Sequence, residues 1–357
     1  MNVRGLICGL ALTGVVAAAA GCSSSSGSGS GSSSPGSTTS ASGAAVSSRQ
    51  VCASPKKVGF VDIFASSPIE HEMDQMAATI VSDLGWQMHF VDAQGNYATM
   101  QQAMTSFVNE HDELIIVASA DAAPIRQSLQ AAKAAGIPVV EVGGGNLDPE
   151  HLFTARYNEN EALLGQMLGA YIVKTVPNAK IGDLASTINY SGAAREAGLR
   201  AAVAASGGKA AIVADQQVNG ANIVPSTTQV MTDMLTAHPD INAVFAALDP
   251  SAVPAASAIH SKGSSAKLFT NFATPSNLNL IQKGQLAAVV DDNLPLTVAV
   301  TFDQFLSHVK TAAAFNPNAV AGAGGLGYRI VSTPNTVYSN DTTLAPFLAK
   351  WKKEFPC

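Results

Sequence analysis

Charge is scarce in this chain: Asp, Glu, Lys and Arg make up 13% of its 357 residues, and no long basic run occurs. With a net charge of -6 as well, the electrostatic footprint of a nucleic-acid binder is missing. Aromatic residues are few, at 6%. Cysteine occurs only four times, and C-x-x-C, H-E-x-x-H and the P-loop are all absent; the histidines lie scattered without ligand spacing. No metal site and no cofactor is therefore expected. G-x-S-x-G is also missing, so an enzyme is the least expected class.

What is present begins with Arg4, an apolar run over 6–20 and small residues before Cys22, the layout of a secretory signal. The run is shorter than the about 20 apolar residues that cross a bilayer, so cleavage is expected. Ala19-Ala20-Gly21-Cys22 resembles the bacterial lipobox, with Ala19 standing where Leu is usual. The expectation is a signal peptide at 1–21, a lipid on Cys22, and a flexible Ser/Gly tether at 22–50 that cannot bury enough apolar surface to order. An ordinary secreted protein is the alternative. Cys8 leaves with the signal, so Cys52 and Cys357 are the two thiols that bracket the body. In an oxidising compartment they are expected to form a disulfide, against the alternative of two free thiols.

From Lys56 onward, apolar stretches of strand length alternate with amphipathic segments of helix length. VGFVDIF (58–64), WQMHFVDA (86–93), LIIVAS (114–119) and IPVVEV (137–142) read as strands. Helices are expected at 68–84, opened by Pro68 with Ser66 or Ser67 as cap, at 99–111 and at 123–135, the last stopped by Gly136. The same grammar returns over 160–269. Strands joined by such crossovers form parallel sheets covered on both faces, giving an α/β chain of two doubly wound lobes. Ligands of such sheets bind beyond the carboxyl ends of the strands, here in a cleft between lobes. Met73, Met76, Met100 and Met104 fall at helical spacing and read as core.

Five segments carry a resemblance. VDAQGNYATMQQAMTSFV (91–108), AAKAAGIPVVEVGG (131–144), SGAAREAGLRAAVAA (191–205), LTAHPDINAVFAALD (235–249) and KGQLAAVVDDNLP (283–295) resemble, in order and spacing, the sugar-binding members of the type I periplasmic-binding-protein family. The resemblance implies three strands crossing between lobes, with the first lobe at 56–158 and 293–323 and the second at 159–292 and 324–357. It implies a monomeric receptor on the extracytoplasmic face of the membrane, held there by its lipid, that hands a small solute to the permease of an ABC importer. Sugars and polyols are the implied ligands. A nucleoside, signalling molecule or organic acid is the alternative, as is a sensor working with a histidine kinase.

Arg195, in Gly-Ala-Ala-Arg-Glu, matches the family's ligand-reaching arginine, whose rigid fork of donors suits hydroxyl or carboxylate oxygens. Asp292 falls at the family's polar hinge position. Elsewhere the chain departs from the family: Gly143-Gly144 replace an Asp-Arg pair and leave room for a bulkier ligand. Ser67-Pro68-Ile69-Glu70 replace an Asn-Pro-aromatic loop, Leu248-Asp249 an Asn-Asp pair, and Asn271-Phe272-Ala273 a Gly-Phe-Asp turn. Asp249 is expected either to accept from ligand or to cap the helix after it. Glu70, one turn into its helix, is expected at the cleft mouth. Phe64 and Tyr190 are candidate stacking surfaces, with core packing the competing account. Asn189 and Asn271 are candidate amide partners.

Overall fold

A computed structural model describes residues 51–144, 147–186, 190–335 and 338–357, the side chain of Ala221 apart. The signal, Cys22, the tether and Asn189 lie outside the described residues.

The first sheet takes β1 (Lys57–Asp62), β2 (Gln87–Asp92), β3 (Leu114–Ala118), β4 (Val139–Val142) and β5 (Ala155–Tyr157), all parallel in the order β2-β1-β3-β4-β5. The intervening helices are α1 (Pro68–Leu84), α2 (Tyr97–Asn109) and α3 (Arg126–Ala134). Helix α2 starts two residues earlier than the pattern predicts, because the Asn96 side chain accepts from the amides of Ala98 and Thr99 and caps it there. Pro68 occupies the first turn of α1, where its missing N–H costs nothing. Strand β3 is buried at every position, as its unbroken apolar run requires of a central parallel strand. Met73 and Met76 of α1, and Met100 and Met104 of α2, are fully buried against the sheet.

The second lobe begins with α4 (Glu161–Thr175), followed by β6 (Ala179–Ala185), α5 (Tyr190–Ala204), β7 (Ala210–Gln217), α6 (Ile223–Ala237) and β8 (Ala243–Ala246). It continues through α7 (Ala252–Ser261), β9 (Lys267–Asn271), α8 (Pro275–Gln282) and β10 (Ala288–Asp291). Its sheet runs β11-β10-β9-β8-β6-β7, with β11 (Arg329–Val331) antiparallel to β10 and the rest parallel. Helix α9 (Pro295–Thr311) packs on α1, β4 and β5 of the first lobe, and α10 (Ala319–Gly322) rests on α9.

The chain thus passes between lobes near 158–160, 292–294 and 323–328. These passages touch: the Asn160 amide donates to the Tyr328 hydroxyl at 2.7 Å, and the Asn293 amide to Leu326 O at 2.9 Å. A further passage follows β11 and leads to α11 (Asn340–Glu354), which packs on α1 and α9. The tail expected wholly in the second lobe therefore divides, β11 joining the second sheet and α11 covering the first lobe. The reason is the seam that α11 meets there: fully buried Trp351 donates to Asp303 of α9, and the Asn340 amide donates to Glu72 O of α1. Beyond α11, Cys357 forms a disulfide with Cys52, beside a backbone bond from the Cys52 amide to Phe355 O.

Candidate functional site

In both sheets the cleft lies at the switch point, where successive crossovers leave in opposite directions: between β1 and β3 in the first, and between β6 and β8 in the second. Residues just past those strand ends line a cavity of about 540 Å³ between the lobes. The first lobe supplies Phe64 after β1, Ser119 after β3, Gly144 after β4, and Ser67 and Glu70 at the start of α1. The second supplies Arg195 and Ser191 of α5, Asp249 after β8 and Phe272 after β9, and Glu159 and Leu294 come from the crossings. Aliphatic side chains close one flank, among them Ile223, Val224 and Leu248.

Arg195 is positioned by an unusually close helix pair. A side chain on Gly165 of α4 would collide with the Arg195 carbonyl, so only glycine lets α5 approach this near. That approach puts the guanidinium of Arg195 against the first turn of α4. Its Nε donates to Glu161 at 2.5 Å, one terminal nitrogen to Ala247 O at 3.1 Å and the other to Glu159 at 3.5 Å. The Phe272 ring lies beneath it, 5.0 Å from the guanidinium carbon. Phe272 itself has φ +63°, a left-handed conformation that bulky residues rarely hold outside functional sites.

Ser119 is the counterpart in the first lobe, also left-handed at φ +55°. Its hydroxyl donates to Glu70 at 2.5 Å and accepts from the Gly144 amide at 3.3 Å. Hydrogen bonds join the lobes across the cleft. Ser67 donates to both oxygens of Asp249, at 3.3 and 3.4 Å, and Ser191 donates to the Gly144 carbonyl.

Carboxylates dominate the electrostatics. Burial pushes Glu70 up to about 8, with the Ser119 bond working against it and Asp74 and Asp249 reinforcing it. Glu159 is driven well above the usual range by burial, then by Glu161 and Asp292 beside it. Asp249 rises to about 6 through burial, partly offset by Arg195 and Ser67. One oxygen each of Glu70, Glu159 and Glu161 has no hydrogen-bond partner.

Of the residues singled out in the sequence, Phe64, Ser67, Glu70, Gly144, Arg195 and Asp249 all line the cavity. The other described candidates lie elsewhere. Asn271 is fully buried and spends its amide on the carbonyls of Ala246 and Ala247, tying β9 to the end of β8. Tyr190, at the start of α5, is 39% exposed and is not part of the cavity lining. Asp292 borders a smaller crevice behind the hinge, beside Asp291 and Asn340. Gly143, at φ +79°, makes the turn into Gly144. The room expected at this glycine pair is taken by protein: the space over Gly144 is filled by Ser191 and Glu161. Asp249 makes no cap on the helix that follows it; it receives the Ser67 hydroxyl and the Ile69 amide at the start of α1, across the cleft.

Sequence reasoning missed Ser119, Ser191, Glu159 and Glu161. The available signals were slight: a single polar residue ending the apolar run LIIVAS, and two acids flanking the helix cap Asn160. Among the described residues no cluster fit to hold a metal ion occurs, and no helix is long and apolar enough to cross a membrane.

Comparison with known proteins places these features in a family. A family model described as a periplasmic binding protein domain matches residues 58–312. The ribose import binding protein RbsB of Escherichia coli (strain K12) is 27% identical over 241 residues, 65% of this chain and 78% of that protein. The Caulobacter myo-inositol binding protein bound to myo-inositol superposes with a TM-score of 0.70 at 20% identity, over 83% of this chain and 98% of that one. A galactofuranose binding protein gives 0.68 at 20% identity, over 84% and 99%.

Proposed function

The chain belongs to the periplasmic binding protein domain family, and from that premise we propose that it captures a small sugar or polyol between its lobes and delivers it to an ABC import permease. It acts as a monomer, by binding alone and without turnover. It works at the extracytoplasmic face, held by a lipid on Cys22 and spaced from the membrane by the tether at 22–50. The first lobe comprises 56–158 and 293–323 with α11, and the second 159–292 with β11.

The observation that carries this reading is the cavity itself, to which both lobes contribute buried and incompletely bonded polar groups. A ligand that bonds both walls stabilises the closed arrangement over the open one by its differential affinity, and that difference drives closure. Named relatives carry ribose or are bound to myo-inositol, which supports a hydroxylated solute here. The test is mass spectrometry of small molecules released when the purified protein is gently unfolded, paired with thermal-shift screening across sugars, polyols, nucleosides and organic acids. A sugar or polyol raising the melting temperature by several degrees is expected. A shift with an organic acid or nucleoside alone would overturn the reading.

A further inference from the structure

We infer that the solute carries a protonated amine on its hydroxylated skeleton, an amino sugar or amino polyol, with the ammonium held by Glu70 and Glu159 at the cleft floor. This rests on the reading above and narrows it.

The first ground is the balance of donors and acceptors. Glu70 and Glu159 line the cavity at 7% exposure, and Glu161 stands behind Gly144 at 2%. Each has one carboxylate oxygen without a partner, and among the described residues no unpartnered buried donor lines the cavity. The floor therefore presents acceptors. A hydroxyl brings one donor and two lone pairs of its own, whereas an ammonium brings three donors and no acceptor.

The second ground is charge. Among the described residues Glu70, Asp92, Glu159 and Asp249 line the cavity against a single cation, Arg195, which is already committed to Glu161, Glu159 and the Ala247 carbonyl. Its remaining N–H groups suit a hydroxyl on the same ligand. A buried charge without a full set of partners is costly, so Glu70 and Glu159 hold protons until a cation arrives. The upward shifts of Glu70 and Glu159 agree with this. Glu70 is faced by Ser119, Asp62, Asp74, Asp249 and Arg195; Glu159 by Glu161, Asp292, Arg195 and the Tyr328 hydroxyl.

Isothermal titration of the mature protein with matched pairs tests this: glucosamine against glucose, galactosamine against galactose, and a 1-amino-1-deoxyalditol against its alditol. In at least one pair the amine is expected to bind about tenfold or more tighter at pH 7.5. Its binding should release protons, seen as a buffer-dependent heat. For the 1-amino-1-deoxyalditol, whose ammonium stays protonated throughout, affinity should therefore rise from pH 6 to pH 8, where the site's own protons leave more easily. Glu70→Gln and Glu159→Gln should each cost the amine at least about fivefold more affinity than they cost its neutral partner, a selective loss that a folding defect would not give. If a neutral sugar binds and its amine is equal or weaker in every pair, the inference falls and the proposed function stands. If no sugar, polyol or amine binds, both fall.

Discussion

At the seam between α9 and α11, Asp303 receives Lys350 on both oxygens, at 2.7 and 2.8 Å, and the buried Trp351 indole at 2.8 Å. In the cleft, Glu159 has one long contact with Arg195 at 3.5 Å and an oxygen left over, and Glu70 is satisfied on one side only. Both places bury carboxylates, but the seam supplies every bond from within the protein and the cleft does not. Buried polar groups in native proteins are almost always paired. A seam that completes its own bonds is built to stay shut. A cleft that leaves acceptors open is built to be completed from outside, and its stability depends on the few groups that hold those acids meanwhile.

The largest test of that contrast is Arg195→Ala. Removing the guanidinium leaves Glu159 and Glu161 buried without their cation, so the protein should lose about 3–5 kcal/mol in urea denaturation as well as its ligand. Replacing all three, as Arg195→Met with Glu159→Gln and Glu161→Gln, should recover most of the stability and none of the binding. If Arg195→Ala costs nothing, the cleft acids are not held as described.

Asp303→Ala breaks the other side of the comparison. It orphans the indole N–H of a fully buried tryptophan, which costs about 1–3 kcal/mol, while exposed Lys350 contributes little. Ligand affinity should stay within about twofold, since Asp303, Lys350 and Trp351 are not part of the cavity lining. A variant that folds as well as the parent but binds tenfold worse would show that the seam governs the cleft.

The same two places show what the sequence discloses. The strand and helix alternation was legible because β1, β3 and β4 are central, doubly covered strands whose apolar runs have few readings. Three-residue β5 and β11 are too short to carry a pattern. Helix α9 is buried on nearly all sides, which erases its 3.6-residue period, and α11 carries Pro346 inside it. In the site, strand ends were legible but not which neighbour faces inward: Phe64 and Asp249 line the cavity, Asn271 and Tyr190 do not. Glu159 and Glu161 gain their meaning from the close packing of α4 on α5, a contact that leaves only small residues in the sequence.

The smallest expected effect concerns the link between the walls. Ser67 of the first lobe donates to both carboxylate oxygens of Asp249 in the second, at 3.3 and 3.4 Å, reinforced by the Ile69 amide. A single such bond contributes about 1 kcal/mol, so Ser67→Ala should move the open-to-closed ratio of the empty protein about fivefold toward open. Distance spectroscopy between a label on each lobe measures this. The pH dependence has a definite sign. Burial in the closed form raises Asp249 from 3.8 to about 6, so closing takes up a proton wherever the open form leaves that carboxylate in water. Closure is then favoured fully below about pH 4 and loses that contribution as pH rises through about 6. Ser67→Ala removes a donor that favours the charged carboxylate, so the variant's transition should shift to higher pH. An unchanged midpoint would mean that Asp249 is not the group the closing motion buries.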